Sequence, residues 1–207
     1  MRRIRLAALA VLVAGICGCG APRPVKYYVL DSGPPSAAAA SQQLPVRLLV
    51  SRVLTSHLYR DDRIVFGSGP VQLGTYDMER WAQSPADMIQ DLLVNYLRAT
   101  GQYRAVSRVS TAARGDYIVR SNLIALYEVD KPELVARFSI HLELFDPKAG
   151  VVLWESSYSH DEPVSGKTVA AVVEAMDHNV RTGLQQLTAG LGQYLTDHPP
   201  QPPDAAK

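Results

Sequence analysis

Cysteine is nearly absent from the 207-residue chain, and its two copies, Cys17 and Cys19, both lie in the first twenty positions. The remainder has no thiol for a disulfide framework, a thiolate metal centre or a cysteine nucleophile. Long hydrophobic runs are also missing. The longest, Leu6–Ile16, has 11 residues, whereas a spanning helix needs roughly 20 to cross a hydrocarbon core of about 30 Å. No excess of one charge exists: 21 Lys+Arg against 20 Asp+Glu leave a formal charge of +1. That balance argues against a nucleic-acid partner, which calls for a basic face. Aromatics are sparse at 7%, and there is no G-x-S-x-G elbow.

What is present begins with the N-terminus. Met1–Arg5 is short and basic, and Leu6–Ile16 is apolar or small throughout. These lengths match a secretory signal. The run ends in Ile16-Cys17-Gly18-Cys19, which resembles the bacterial lipobox: an aliphatic residue, two small positions, then the lipidated cysteine. The expected processing removes residues 1–18 and places diacylglycerol on Cys19. Loss of Arg2, Arg3 and Arg5 takes the formal charge from +1 to −2. By resemblance to the enterobacterial sorting rule, Gly20 rather than Asp after the cysteine favours the outer membrane.

Residues 19–45 read as a lipidated N-terminus, a short strand at Lys26–Asp31 and a flexible linker, Ser32–Pro45, rich in Pro, Ser and Ala. Residues 198–207 read as a disordered Pro-rich tail. Between them, 46–197 reads as a single α+β domain. Strands are expected at Val46–Val53, Tyr103–Val109 and Tyr117–Val129, with a hairpin pairing Arg63–Phe66 with Val71–Tyr76 around Gly67–Pro70. The clearest alternation sets Ala136, Phe138, Ile140, Leu142 and Leu144 against Arg137, Ser139, His141 and Glu143. The turn Asp146–Gly150 then leads to Val151–Ser159. Ser84, Pro85 and Asp87 punctuate the start of a helix over Ser84–Ala99, and Gly101 ends it. A second helix spans about Thr168–Leu195, roughly 40 Å long. The predicted architecture is a two-layer sandwich: a mostly antiparallel sheet covered by two amphipathic helices.

The chemistry-bearing combinations are weak. Ser165–Thr168 (SGKT) ends like a P-loop, but Asp161 stands where the first Gly is required. Ser159-His160-Asp161 holds the residue types of a hydrolase triad, yet strand neighbours point to opposite faces. Glu174 and His178 lie one helical turn apart but are too few ligands for a metal, and His57, His141, His160 and His198 are scattered. Asp61-Asp62 between Arg60 and Arg63 reads as an exposed charged turn. No catalytic, cofactor or metal-ligating set is legible, and a non-enzymatic role is expected. Arg80-Trp81, just before the Ser84 cap, reads as a packing anchor or as a contact for a partner or an acyl chain, because Trp and Arg dominate interface energetics.

The order and spacing of several motifs resemble the ABC-type transport auxiliary lipoprotein family, the PqiC-like proteins. The carrying features are Cys19 in its lipobox, Tyr27–Leu30, the strand near Arg47–Val53, Arg63–Val65, Arg80-Trp81 before the helix at Ser84–Leu97, and the closing helix with Ala175-Met176. The chain departs from the family pattern at Ser56–Arg60, where Leu58 and Arg60 match. The resemblance implies a non-enzymatic subunit on the periplasmic face of the outer membrane. Its implied partners are an MCE-domain protein and an inner-membrane ABC permease and ATPase that move lipids between membranes, with a homo-oligomer among the expected assemblies. The competing reading is an LptE-like assembly lipoprotein for an outer-membrane β-barrel.

Overall fold

A computed structural model describes residues 24–31, 43–67 and 71–199. The signal segment, Cys19, most of the Pro-Ser-Ala linker, the tip of the first hairpin and most of the tail lie outside the described residues. Strands are β1 (Lys26–Tyr28), β2 (Leu44–Val50), β3 (Leu54–Thr55), β4 (Arg63–Gly67), β5 (Leu73–Trp81), β6 (Tyr103–Arg108), β7 (Tyr117–Val129), β8 (Val135–Asp146) and β9 (Val151–Pro163). Helices are α1 (Pro85–Ala99) and α2 (Val169–Asp197), and a 3-10 turn covers His57–Tyr59.

Both helices start as their cap residues dictate. The Ser84 hydroxyl accepts the Asp87 amide at 3.2 Å, Pro85 occupies the first turn, and Asp87 complements the positive end of the helix. Thr168 does the same for α2, accepting from Ala171 N at 3.2 Å. The SGKT stretch is therefore the loop and cap of α2. Gly101, at φ +62°, carries the chain out of α1 in the left-handed conformation that Gly tolerates.

β7 organises the sheet. One edge pairs along its length with β8, antiparallel, from Ile118↔Phe145 to Val129↔Val135. The other edge takes three strands in series, all parallel: β2 at Tyr117–Val119, β3 at Asn122–Leu123 and β4 at Glu128–Val129. β6 extends the β2 arm and is parallel to it. The β4–β5 hairpin extends the other arm, and β1 lies parallel on β5 at its edge. β9 closes the opposite side, antiparallel to β8. The α+β class holds, but the expected mostly antiparallel sheet is corrected to a mixed one. Side-chain alternation is the same in both pairings, so the pattern of apolar residues did not distinguish them.

The core lies between the sheet and the helices. Ala136, Phe138, Ile140, Leu142 and Leu144 are fully buried, facing Met176, Val180, Leu184 and Leu191 of α2. α1 packs on β6 and β2 and touches α2. Among the described residues no helix is long and apolar enough to cross a membrane.

A buried amide fixes α2 to its strands. Asn179 Nδ2 donates to the carbonyls of Ala136 and His160, each at 2.9 Å. Its Oδ1 accepts from the Tyr158 hydroxyl at 2.9 Å. One turn on, Gly183 lets the helix press onto the sheet: a Cβ there would lie 2.6 Å from the Tyr158 ring and 2.9 Å from that of Phe138. Replacing Asn179 with Ala leaves the Tyr158 hydroxyl unpaired and is expected to cost about 2–3 kcal/mol. Gly183→Ala is expected to cost about 1–3 kcal/mol through overpacking. Urea unfolding of each variant measures both.

Candidate functional site

A concavity lies on the sheet face away from the helices. It arises from a bulge in β7. The β7–β8 register shifts between Leu123 and Ala125, which throws Ile124 outward, 55% exposed. Beyond the bulge, Ala125 and Tyr127 share a face with Ser139 and Arg137, because residues opposite one another across a ladder project to the same side. Tyr59 from the 3-10 turn and Leu73 from β5 fold over this face. The resulting groove of about 750 Å³ has an apolar wall of Tyr59, Leu73, Ile124 and Ala125, and a polar wall carrying Arg137, Ser139, Ser159 and Asp161.

The polar wall is internally paired. Arg137 Nε and Nη2 donate to the two Asp161 oxygens at 2.7 and 2.6 Å, and Nη1 reaches the Tyr127 hydroxyl at 2.9 Å. Those hydrogen bonds hold the Asp161 carboxyl below the usual carboxylate range, against an opposing push from burial. Ser159 and Asp161 stand opposite Ser139 and Arg137, whereas His160 is opposite Phe138 on the helix side. Asp161 therefore orients Arg137 and not His160, and the Ser159-His160-Asp161 run does not converge. His160 approaches Glu162 at 3.5 Å instead, and His178 reaches the same carboxylate at 3.2 Å. His178 thus pairs across to β9, while its helical neighbour Glu174 is exposed.

Arg80 and Trp81 sit at the end of β5, where β1 joins the sheet. Trp81 is 1% exposed and belongs to the core. Its amide donates to the Asp62 carbonyl at 2.6 Å. Arg80 Nη1 lies 3.0 Å from Asp62 Oδ1 and 3.2 Å from Oδ2. β1 is held opposite them by Tyr28↔Trp81 pairing and by Glu79, which accepts from Lys26 Nζ at 3.0 Å and the Tyr28 hydroxyl at 2.7 Å. Burial and that carboxylate push the Tyr28 hydroxyl up to about 12. Asp61 is 3.8 Å from Arg63, completing the charged turn.

Sequence reasoning missed the groove, since its walls come from five separated segments that only tertiary pairing unites. It also missed buried Glu128, which accepts from the Tyr76 hydroxyl at 2.9 Å. Burial pushes the Glu128 carboxyl up; the Tyr76 bond opposes that shift and Asp130 adds to it.

The family model described as ABC-type transport auxiliary lipoprotein component matches residues 28–189. No curated protein matches the chain. Among solved structures, a Xanthomonas campestris protein of family DUF330 is similar, with a TM-score of 0.71 at 20% identity, covering 84% of this chain and 98% of its own. An uncharacterized protein follows with a TM-score of 0.61 at 12% identity, covering 84% and 99%. A Helicobacter pylori homolog of a neuraminyllactose-binding hemagglutinin has a TM-score of 0.51 at 10% identity, covering 83% and 96%. At these identities the likeness is one of fold.

Asp161 and Glu128 give opposite pH signatures. The Arg137–Asp161 contribution is complete above the unfolded Asp value of about 3.9 and is lost as pH falls through the lower folded value. Asp161→Asn is therefore expected to be less stable than the parent at pH 7, the gap closing in acid. For Glu128 the raised folded value means that ionisation in the fold costs stability as pH rises through it. Glu128→Gln is expected to be more stable at pH 7, with the gain vanishing below about pH 4.3. Urea midpoints across pH check both signs.

Proposed function

The chain belongs to the ABC-type transport auxiliary lipoprotein component family, and from that premise we propose that it is a lipid-anchored docking subunit of an intermembrane lipid-transport assembly. Cys19 carries the acyl chains, the outer membrane holds them, and the domain faces the periplasm. The partners are an MCE-domain protein and an inner-membrane ABC permease with its ATPase. The subunit is a recruiter rather than an enzyme. Energy comes from the distant ATPase, in keeping with an SGKT stretch used as a helix cap.

The observation that carries the docking reading is the short tether. Cys19 and Lys26 are seven residues apart, which spans at most about 25 Å fully extended. Because β1 is laced to β5 and Glu79, the anchor restrains the whole sheet edge and not a loose tail. Tyr27 of β1 and the flanking Val25 and Val29 are exposed by 64%, 38% and 56%, apolar surface suited to the bilayer boundary. In this reading Arg80, with 27% of its side chain open beside Asp62, is the contact member of its pair, and Trp81 supports it from the core. Confinement to a surface raises the effective concentration for a membrane-bridging partner.

In-cell crosslinking followed by recovery of the tagged full-length chain tests this. The MCE-domain protein and permease are expected with the parent. Recovery should fall roughly tenfold or more in Cys19→Ala, which loses its confinement. Recovery of a β-barrel outer-membrane protein in their place would favour the assembly-lipoprotein reading.

A further inference from the structure

The β8–β9 ladder contains an arrangement that the docking role does not use. Glu143 and Glu155 stand directly opposite each other, and His141 stands opposite Ser157 on the same face. Like charges facing one another across a ladder are destabilising. Here an imidazole lies beside them both: His141 Nε2 is 3.6 Å from Glu143 Oε1 and 3.8 Å from Glu155 Oε2. Those distances exceed hydrogen-bond range, so the three groups face a gap rather than bonding to one another. One ligand atom from each lies within 4.8 Å of the others. Donors bound tetrahedrally at about 2.0–2.1 Å are separated by about 3.3–3.4 Å, close to the two imidazole–carboxylate spacings.

The surroundings set the donors. His141 Nδ1 is 2.8 Å from Ser157 Oγ, which fixes the ring with Nε2 toward the carboxylates. Such a partner on the second ring nitrogen is the usual support of a metal-bound imidazole. Arg120 Nη1 lies 3.8 Å from the other Glu143 oxygen, Oε2, and its guanidinium stacks 3.4 Å from the Phe145 ring centroid. Oε1 is left to face His141. The β8–β9 ladder that carries His141, Glu143, Glu155 and Ser157 is paired without irregularity from Val135 to Leu144, so the spacing of these four is built into it.

We infer that His141, Glu143 and Glu155 form a zinc site, one imidazole and two carboxylates with a fourth position open to water. One nitrogen and two carboxylate oxygens at tetrahedral spacing suit zinc better than magnesium, which demands octahedral oxygen coordination. The bound cation cancels the Glu143–Glu155 repulsion and clips β9, the outermost strand of this side, to β8. The cluster His160, Glu162 and His178 differs: one carboxylate bridges two imidazoles at 3.5 and 3.2 Å, leaving no shared gap.

Zinc titration of the detergent-solubilised full-length protein, against a competing chromophoric chelator and with thermal melts alongside, tests the site. The parent is expected to bind one zinc and melt at a higher temperature with it, and magnesium should do neither. His141→Ala should lose both effects, Ser157→Ala should bind about tenfold more weakly, and His178→Ala should behave as the parent. Glu155→Gln should lose zinc yet, without metal, melt no lower than the parent, because the facing like charges are gone. Zinc binding that survives His141→Ala, or that vanishes in His178→Ala, overturns the assignment, as does a parent that binds no zinc.

Discussion

β7 is the strand on which the rest of the architecture depends. Its thirteen residues pair on one edge with β8 and on the other, in series, with β2, β3 and β4. Three strands sharing one edge diverge into two arms, and the bulge at Ile124 marks where the strand bends between them. Inward, β8 presents the apolar row Ala136, Phe138, Ile140, Leu142 and Leu144 to α2. Outward, β8 presents Arg137, Ser139, His141 and Glu143. Asn179 and Gly183 hold helix and ladder together by a satisfied amide and a close approach, so the two faces keep fixed positions. The groove and the His141–Glu143–Glu155 cluster both lie on the outward face because the inward one is filled.

Local chemistry was readable where a residue's neighbours in sequence decide its state. The Ser84 and Thr168 caps, the Gly101 stop and the β8 alternation are of this kind, and the elements fall close to the expected limits. β5 and β9 run further than expected, to Trp81 and Pro163, because the added residues, buried Trp81 apart, are half-buried or exposed, with mixed composition and no clean period. β3 has two residues, too few to show a period at all. The parallel pairings had no local signal, since nothing in a strand's own sequence records which neighbour it meets from afar.

The candidate sites were less legible for the same reason. Arg80 and Trp81 drew attention by residue type, yet their surroundings, Asp62 and β1, come from distant positions. His141 counted as one of several scattered histidines until the turn at Asp146–Gly150 and the β8–β9 register brought Glu155 and Ser157 opposite Glu143 and His141. The Ser159–Asp161 run shows the converse: residue types suggestive of catalysis are separated by strand geometry, and Asp161 is committed to Arg137.

Function, in this account, comes from where the domain is held. Under the proposed function, a sheet edge tied through β1 to a short tether would carry a rigid surface close to a bilayer, with no chemistry on a substrate asked of it. Intact mass spectrometry of the mature protein, purified from membranes, tests that claim most directly. The account predicts a chain that begins at Cys19 and bears the added mass of its acyl groups. A mature chain with an unmodified N-terminus, recovered from the soluble periplasmic fraction, would contradict it.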